Sequence, residues 1–142
     1  AKDTDMRAAL ISLSVRDSAA RNAATPDDPR VRYQSWAGIS FVAGVRSAKQ
    51  EAACEGKGHS LAGPPDAISL DLAPIGAFLS AAGVASDGLI GVESSKWGTF
   101  RGCIPADHHD ETGDGAAGPS RSGFDHRKFY RDIAAELAAA GL

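Results

Sequence analysis

The 142-residue chain is poor in cysteine, methionine and long apolar runs, and each shortage narrows what it can be. A helix that crosses a bilayer needs about 18 or more consecutive apolar residues. The apolar runs here stop after a few residues, so no transmembrane segment is expected. Basic residues are not in excess: 15 Lys and Arg stand against 18 Asp and Glu, for a net charge of −3. Such a chain has no electrostatic footprint for nucleic acid or an anionic membrane. The two cysteines, Cys54 and Cys103, form no CxxC pair, which excludes a zinc ribbon. In an exported chain they would most simply make one disulfide, closing a loop of about 50 residues worth roughly 4 kcal/mol. In a cytosolic chain they would be two buried free thiols. The amino terminus, "AKDTDMRAAL", lacks both an initiator Met and the basic-then-apolar build of a signal peptide. It is therefore read as a cut end, left after any leader has gone.

What is present fits one folded domain over residues 1–142: 43% apolar and 23% charged, with enough length for a hydrophobic core. "MRAALISL" is rich in helix formers, and Ser14 with Asp17 has the form of a capping box that opens a second helix, ended by Pro26. "VRYQSWAG", residues 31–38, alternates as a strand does. Residues 47–65 are polar and rich in Gly and Pro, and read mostly as loop. A helix is predicted over 73–82, with Pro74 in its first turn. "GLIGV" and "TFRGCI" are short apolar runs of strand type, with a helical turn in "ESSKWG" between them. "GDGAAGPSRSG" is a connection, and Asp125 caps a last helix ended by Gly141. Helices alternating with about three short strands indicate an α/β architecture, and so few strands indicate part of a larger sheet.

Two motifs carry chemistry. "ADHHDE", residues 106–111, packs two histidines and three carboxylates together, and "SDGLIG", residues 86–91, precedes it. Asp-Gly alone is an ordinary turn. His108, however, follows Asp87 by 21 residues, across a helical turn, a strand and a loop. In an α/β hydrolase the catalytic acid follows one late strand and the histidine follows the next, in the order Ser, Asp, His.

Over "SDGLIGVESSKWGTFRGCIPADHHDETG" the chain resembles the carboxyl-terminal region of the bacterial secreted triacylglycerol lipases of the Pseudomonas and Burkholderia type and their esterase relatives. Those carry an "NDGLV" segment with the catalytic Asp and an "NHLDE" segment with the catalytic His and a calcium-binding Asp. "VRYQSWAG" is similar to the family's Tyr-Ser-Trp-Ala-Gly strand, and "AALISLSVRDSAARNAATPDDP" to the helix pair before it. The resemblance implies an α/β-hydrolase fold, with helices packed on a mostly parallel sheet that an amino-terminal part completes. It implies Asp87 as catalytic acid, His108 as catalytic histidine and Asp110 as a ligand of a structural Ca2+. Asp71 is the candidate for the second calcium carboxylate, with Asp66 as its substitute. Main-chain oxygens of Asp114 and Gly118 would complete the shell, although the family's Gln is absent at the first of these. His109 stands where the family has Leu. Glu93 occupies the usual disulfide position, so a Cys54–Cys103 bridge would be a relocated version.

The nucleophile is missing. "GHSLAG" imitates a nucleophile elbow around Ser60, but a polar stretch precedes it, where a buried strand is required, and Pro64 and Pro65 follow, where a helix is required. The expectation is therefore a secreted ester hydrolase of the Ser-His-Asp type acting on an ester or lipid substrate. This chain would be its carboxyl-terminal half, inactive without an amino-terminal half that brings the serine. Two other readings stay open: a non-catalytic metal-binding module using the Asp107–Glu111 loop, and a solvated acidic loop on an interaction domain.

Overall fold

The computed structural model describes residues 11–12, 14–57, 63–114 and 120–142. The chain divides into two compact units, 1–32 and 33–142. In the first, helix α1 (Val15–Ala24) begins where the Ser14 hydroxyl accepts the Asp17 N–H, the cap expected from the sequence. It ends at Thr25, just before Pro26, and none of its residues is buried. The helix expected over "MRAALISL" lies almost wholly outside the described residues.

The second unit is built on strands β1 (Gln34–Gly38) and β2 (Thr99–Ile104), paired in parallel. Their register runs from Gln34 opposite Thr99 to Gly38 opposite Ile104, with one slip between Ser35 and Ala37. The extra residue of that bulge sits on β2, where Gly102 takes a φ of 120° that a side chain would resist. The result is a mixed helix and strand fold with a small parallel sheet, α/β in the general sense. The third expected strand is absent among the described residues. "GLIGV" contributes an isolated bridge between Ser86 and Gly91, then short helix α4 (Val92–Ser95), because the Asp87 carboxylate bends the chain into a turn.

Between the strands lie two further helices. Short α2 (Ala48–Glu51), followed by a 3-10 turn over Ala52–Cys54, replaces part of the loop expected over 47–65. The Ser47 side chain caps it, a signal hidden in a polar stretch without period. Helix α3 (Ala73–Ala81) carries Pro74 in its first turn and packs through Gly76, whose missing side chain leaves room for Ile68 and for Gly88 of the Asp87 turn. After β2 come α5 (His108–Thr112) and α6 (His126–Ala139), the latter capped by Asp125 as expected.

Burial falls on both sides of the strands. One cluster joins Ala37, Ile39, Phe41, Ala85 and Val92 to a fully buried Cys54–Cys103 disulfide. The other sets Ile104 and Ala106 against Phe129 of α6, with the Trp36 ring edge-on to Phe129 at 5.6 Å. Among the described residues, no helix is long and apolar enough to cross a membrane.

Candidate active site and acidic cluster

Asp87 ends the segment that leaves α3, and its backbone N–H donates to Ile90 O at 3.2 Å, closing a tight turn. Oδ1 accepts the N–H groups of Leu89 at 2.8 Å and Ile90 at 2.6 Å. With that oxygen engaged and the residue 3% exposed, Oδ2 is left to meet His108 Nδ1 at 2.8 Å. A main-chain bond from His108 N–H to Asp87 O at 3.0 Å locks the two segments together. A carboxylate on Nδ1 selects the tautomer with its proton there and leaves Nε2 as the basic nitrogen. The His108 side chain is 40% exposed, and no hydroxyl or thiol is hydrogen-bonded to it among the described residues.

Helix α5 aims the histidine. Its N-cap is Asp107, fully buried, whose Oδ1 accepts the N–H groups of His109 and Asp110, each at 2.9 Å. Its other oxygen accepts the Ser69 N–H at 2.9 Å and the Ser69 hydroxyl, fastening the helix start to the turn before α3. Gly113 closes the helix with a φ of 70°. Once 108–112 is a helix, Glu111 stands three residues from His108 on the same side. Asp87, His108 and Glu111 offer ligand atoms within 4.8 Å of one another. The Glu111 carboxylate accepts the Gly38 N–H, while burial first, then the Asp87 charge, push it up to about 7. Gly38 must be glycine here, since a side chain would strike Glu111 Oε1, Ala106 O and the Asp87 side chain.

A second group lies on the far side of α5: Asp66, Asp107 and Asp110, again within 4.8 Å of one another. Asp66 is fully buried and accepts hydroxyls from Ser40 at 2.5 Å and Ser120 at 3.1 Å. Burial, then the charges of Asp66 and Asp107, push the Asp110 carboxyl up to about 6. Three acids that repel one another, with oxygen as their only donor element, are close enough to hold a metal ion.

The structure thus brings together Asp87 with His108, and Asp110 with Asp66. It does not bring Asp71 to Asp110. Asp66 is drawn inward because its backbone O accepts the Phe41 N–H beside the Phe41–Ala67 bridge. Asp71 instead sits on the exposed turn before α3, where its Oδ2 meets His109 Nε2 at 2.7 Å. That contact holds the Asp71 carboxyl below its ordinary range and raises His109. The Asp114 carboxylate is exposed and 3.8 Å from His109 Nδ1. Gly118 and Ser60 lie outside the described residues. The sequence offers Glu111 and Asp107 only as ligands of the metal-module reading; their roles as neighbour of Gly38 and as helix cap would have been signalled only by the capping geometry of a helix opening at Asp107. Compared with protein-family models, curated proteins and solved structures, the chain finds no match.

Proposed function

We propose that this chain is the acid–base part of a secreted serine ester hydrolase of α/β-hydrolase type, acting on carboxylic esters such as lipids. The observation that carries the reading is the dyad: a buried, doubly anchored Asp87 on Nδ1 of a histidine whose side chain is partly exposed. In the reaction, His108 Nε2 takes the proton of a serine hydroxyl as its oxygen bonds to the ester carbonyl carbon. It then gives that proton to the alkoxide as the carbon–oxygen bond breaks, and a water repeats the cycle on the acyl-enzyme. Asp87 holds the imidazole in its tautomer and offsets its positive charge. The serine comes from an amino-terminal half of the hydrolase, the partner this reading requires.

The donor set of Asp66, Asp107 and Asp110 fits a hard cation, and we assign it to Ca2+ with a structural role. Bound there, the ion supplies positive charge among three carboxylates. Asp107 and Asp110 flank His108 in sequence, so the same carboxylates hold α5 in place. The Cys54–Cys103 bridge favours an oxidising, extracellular setting.

One observation favours a second reading. Asp87, His108 and Glu111 also bring one imidazole and two carboxylates within 4.8 Å of one another, donors of the kinds that zinc accepts. Turnover separates the two. In the complete enzyme, His108→Ala should abolish ester hydrolysis while His109→Ala retains it, with both proteins folded. Loss in His109→Ala alone would move the catalytic histidine by one residue, whereas zinc held by Asp87 and His108 in a protein that hydrolyses no ester would replace the hydrolase with the metal module.

A further inference from the structure

Helix α5, which carries His108, is five residues long and is tied at two points to the turn before α3. At the first, Ser69 gives its N–H and its hydroxyl to Asp107 Oδ2. At the second, His109 Nε2 meets Asp71 Oδ2 at 2.7 Å. A carboxylate only accepts, so the hydrogen of that contact sits on Nε2. The two ties are parallel rungs, each joining residues 38 apart in sequence.

The rungs end on the segment that also carries the Asp87 turn. Gly88, beside Asp87, has no side chain and lets Ile68 and Leu72 close on that turn. Residues 68–72 therefore hold both pieces whose relative placement sets the 2.8 Å contact between Asp87 and His108. One rung fixes a point on a helix and leaves it free to turn about that point; a second rung removes that freedom. Neighbouring side chains on a helix point about 100° apart, so a rotation of α5 that takes His109 off Asp71 also carries His108 away from Asp87. The acid cluster supplies the displacing force. Asp107 and Asp110 belong to α5 and its cap, and without a cation their charges and that of Asp66, within 4.8 Å of one another, repel.

We propose that His109 and Asp71 are positioning residues for the reaction: their contact holds α5 in the rotation that keeps His108 on Asp87 while the acid cluster is free of metal. The proposal rests on the reading of His108 as the base and adds to it a tie that needs no cation. Its size is modest, because the Asp71 side chain is 64% exposed and solvent screens the contact.

The test is hydrogen exchange at two backbone amides of the 142-residue chain in EDTA. The His108 N–H, bonded to Asp87 O, reads the placement of α5, and the Ile39 N–H, bonded to Ile104 O, reads the frame around it. Asp71→Ala and His109→Leu should each speed exchange of His108 by about twofold to fivefold, the worth of one exposed ionic contact, and leave Ile39 unchanged. The double variant should exchange no faster than either single one, and His109→Gln, which keeps a donor, should restore the slower rate. Asp71→Ala removes an exposed side chain and keeps the test open should His109→Leu not fold. In the complete enzyme in EDTA, Asp71→Ala should lower kcat by the same factor with KM unchanged, because His108 acts in bond making and not in substrate binding. Unchanged His108 exchange, equal acceleration of Ile39, additive effects in the double variant, or a loss through KM alone would each overturn the proposal. Should the parent enzyme hydrolyse no ester, the hydrolase reading fails, and the exchange rates still decide whether the contact holds α5.

Discussion

Replacing Asp110 with Asn should stabilise the metal-free protein and destabilise the calcium-loaded one. Asp110 titrates at about 6 rather than 3.8, because burial and the charges of Asp66 and Asp107 oppose its ionisation. The folded state then holds this proton more tightly than the unfolded chain does. Stability from this group is complete below about pH 4 and is lost as pH rises to about 6. A shift of about two pH units corresponds to ~3 kcal/mol, which solvent reaching the partly open carboxyl cuts to about 1–2 kcal/mol. Asn keeps the size and removes the charge, so in EDTA at pH 7 it should raise Tm by roughly 3–8 °C. At pH 4 the two proteins should melt together. Saturating Ca2+ reverses the order: a hundredfold excess over Kd adds about 2.7 kcal/mol to the protein that binds it, and Asn binds it less well. Circular dichroism melts at both pH values read this directly. Using the difference between the proteins cancels Glu111, raised in the same direction, and Asp125, lowered by its capping bonds. An Asn variant no more stable than the parent in EDTA at pH 7, or equally stabilised at pH 4, refutes the reasoning.

Two further outcomes follow from the packing. Replacing both Cys54 and Cys103 with Ser opens a loop whose ends are 49 residues apart and should cost about 4 kcal/mol in urea unfolding. A loss under 1 kcal/mol would show that the bridge adds little. Gly38→Ala places a Cβ 2.7 Å from Ala106 O and 2.9 Å from the Asp87 side chain. It should destabilise by about 1–3 kcal/mol and displace the His108 ring resonances in NMR; unchanged resonances would mean that β1 yields without moving the dyad.

Local capping and periodicity made much of the frame legible. Ser14, Pro74 and Asp125 each stand at the start of a helix the sequence anticipates. The Asp87–His108 pairing was legible too, because order and interval along the chain survive folding. What was hidden depends on contacts far apart in sequence. "GLIGV" has strand composition, yet the Asp87 carboxylate takes the Leu89 and Ile90 N–H groups that a ladder would need. Sequence offers both Asp71 and Asp66 as the partner of Asp110, and the choice of Asp66 follows from the Phe41–Ala67 bridge and from Ser40, 26 residues away. The placement of Glu111 beside Gly38 stayed hidden because five residues, "HHDET", have no period to announce a helix. Only the helix turns that carboxylate toward Gly38.

The central claim is that Asp87 and His108 serve a serine nucleophile carried elsewhere. It is tested most directly by treating the native preparation with a serine-directed fluorophosphonate and locating the label by denaturing intact-mass spectrometry. Label on a polypeptide other than the 14.6 kDa chain, lost when His108 is Ala, is the predicted result. Label on the 14.6 kDa chain itself would contradict it, placing the nucleophile at Ser60 or another serine of these 142 residues.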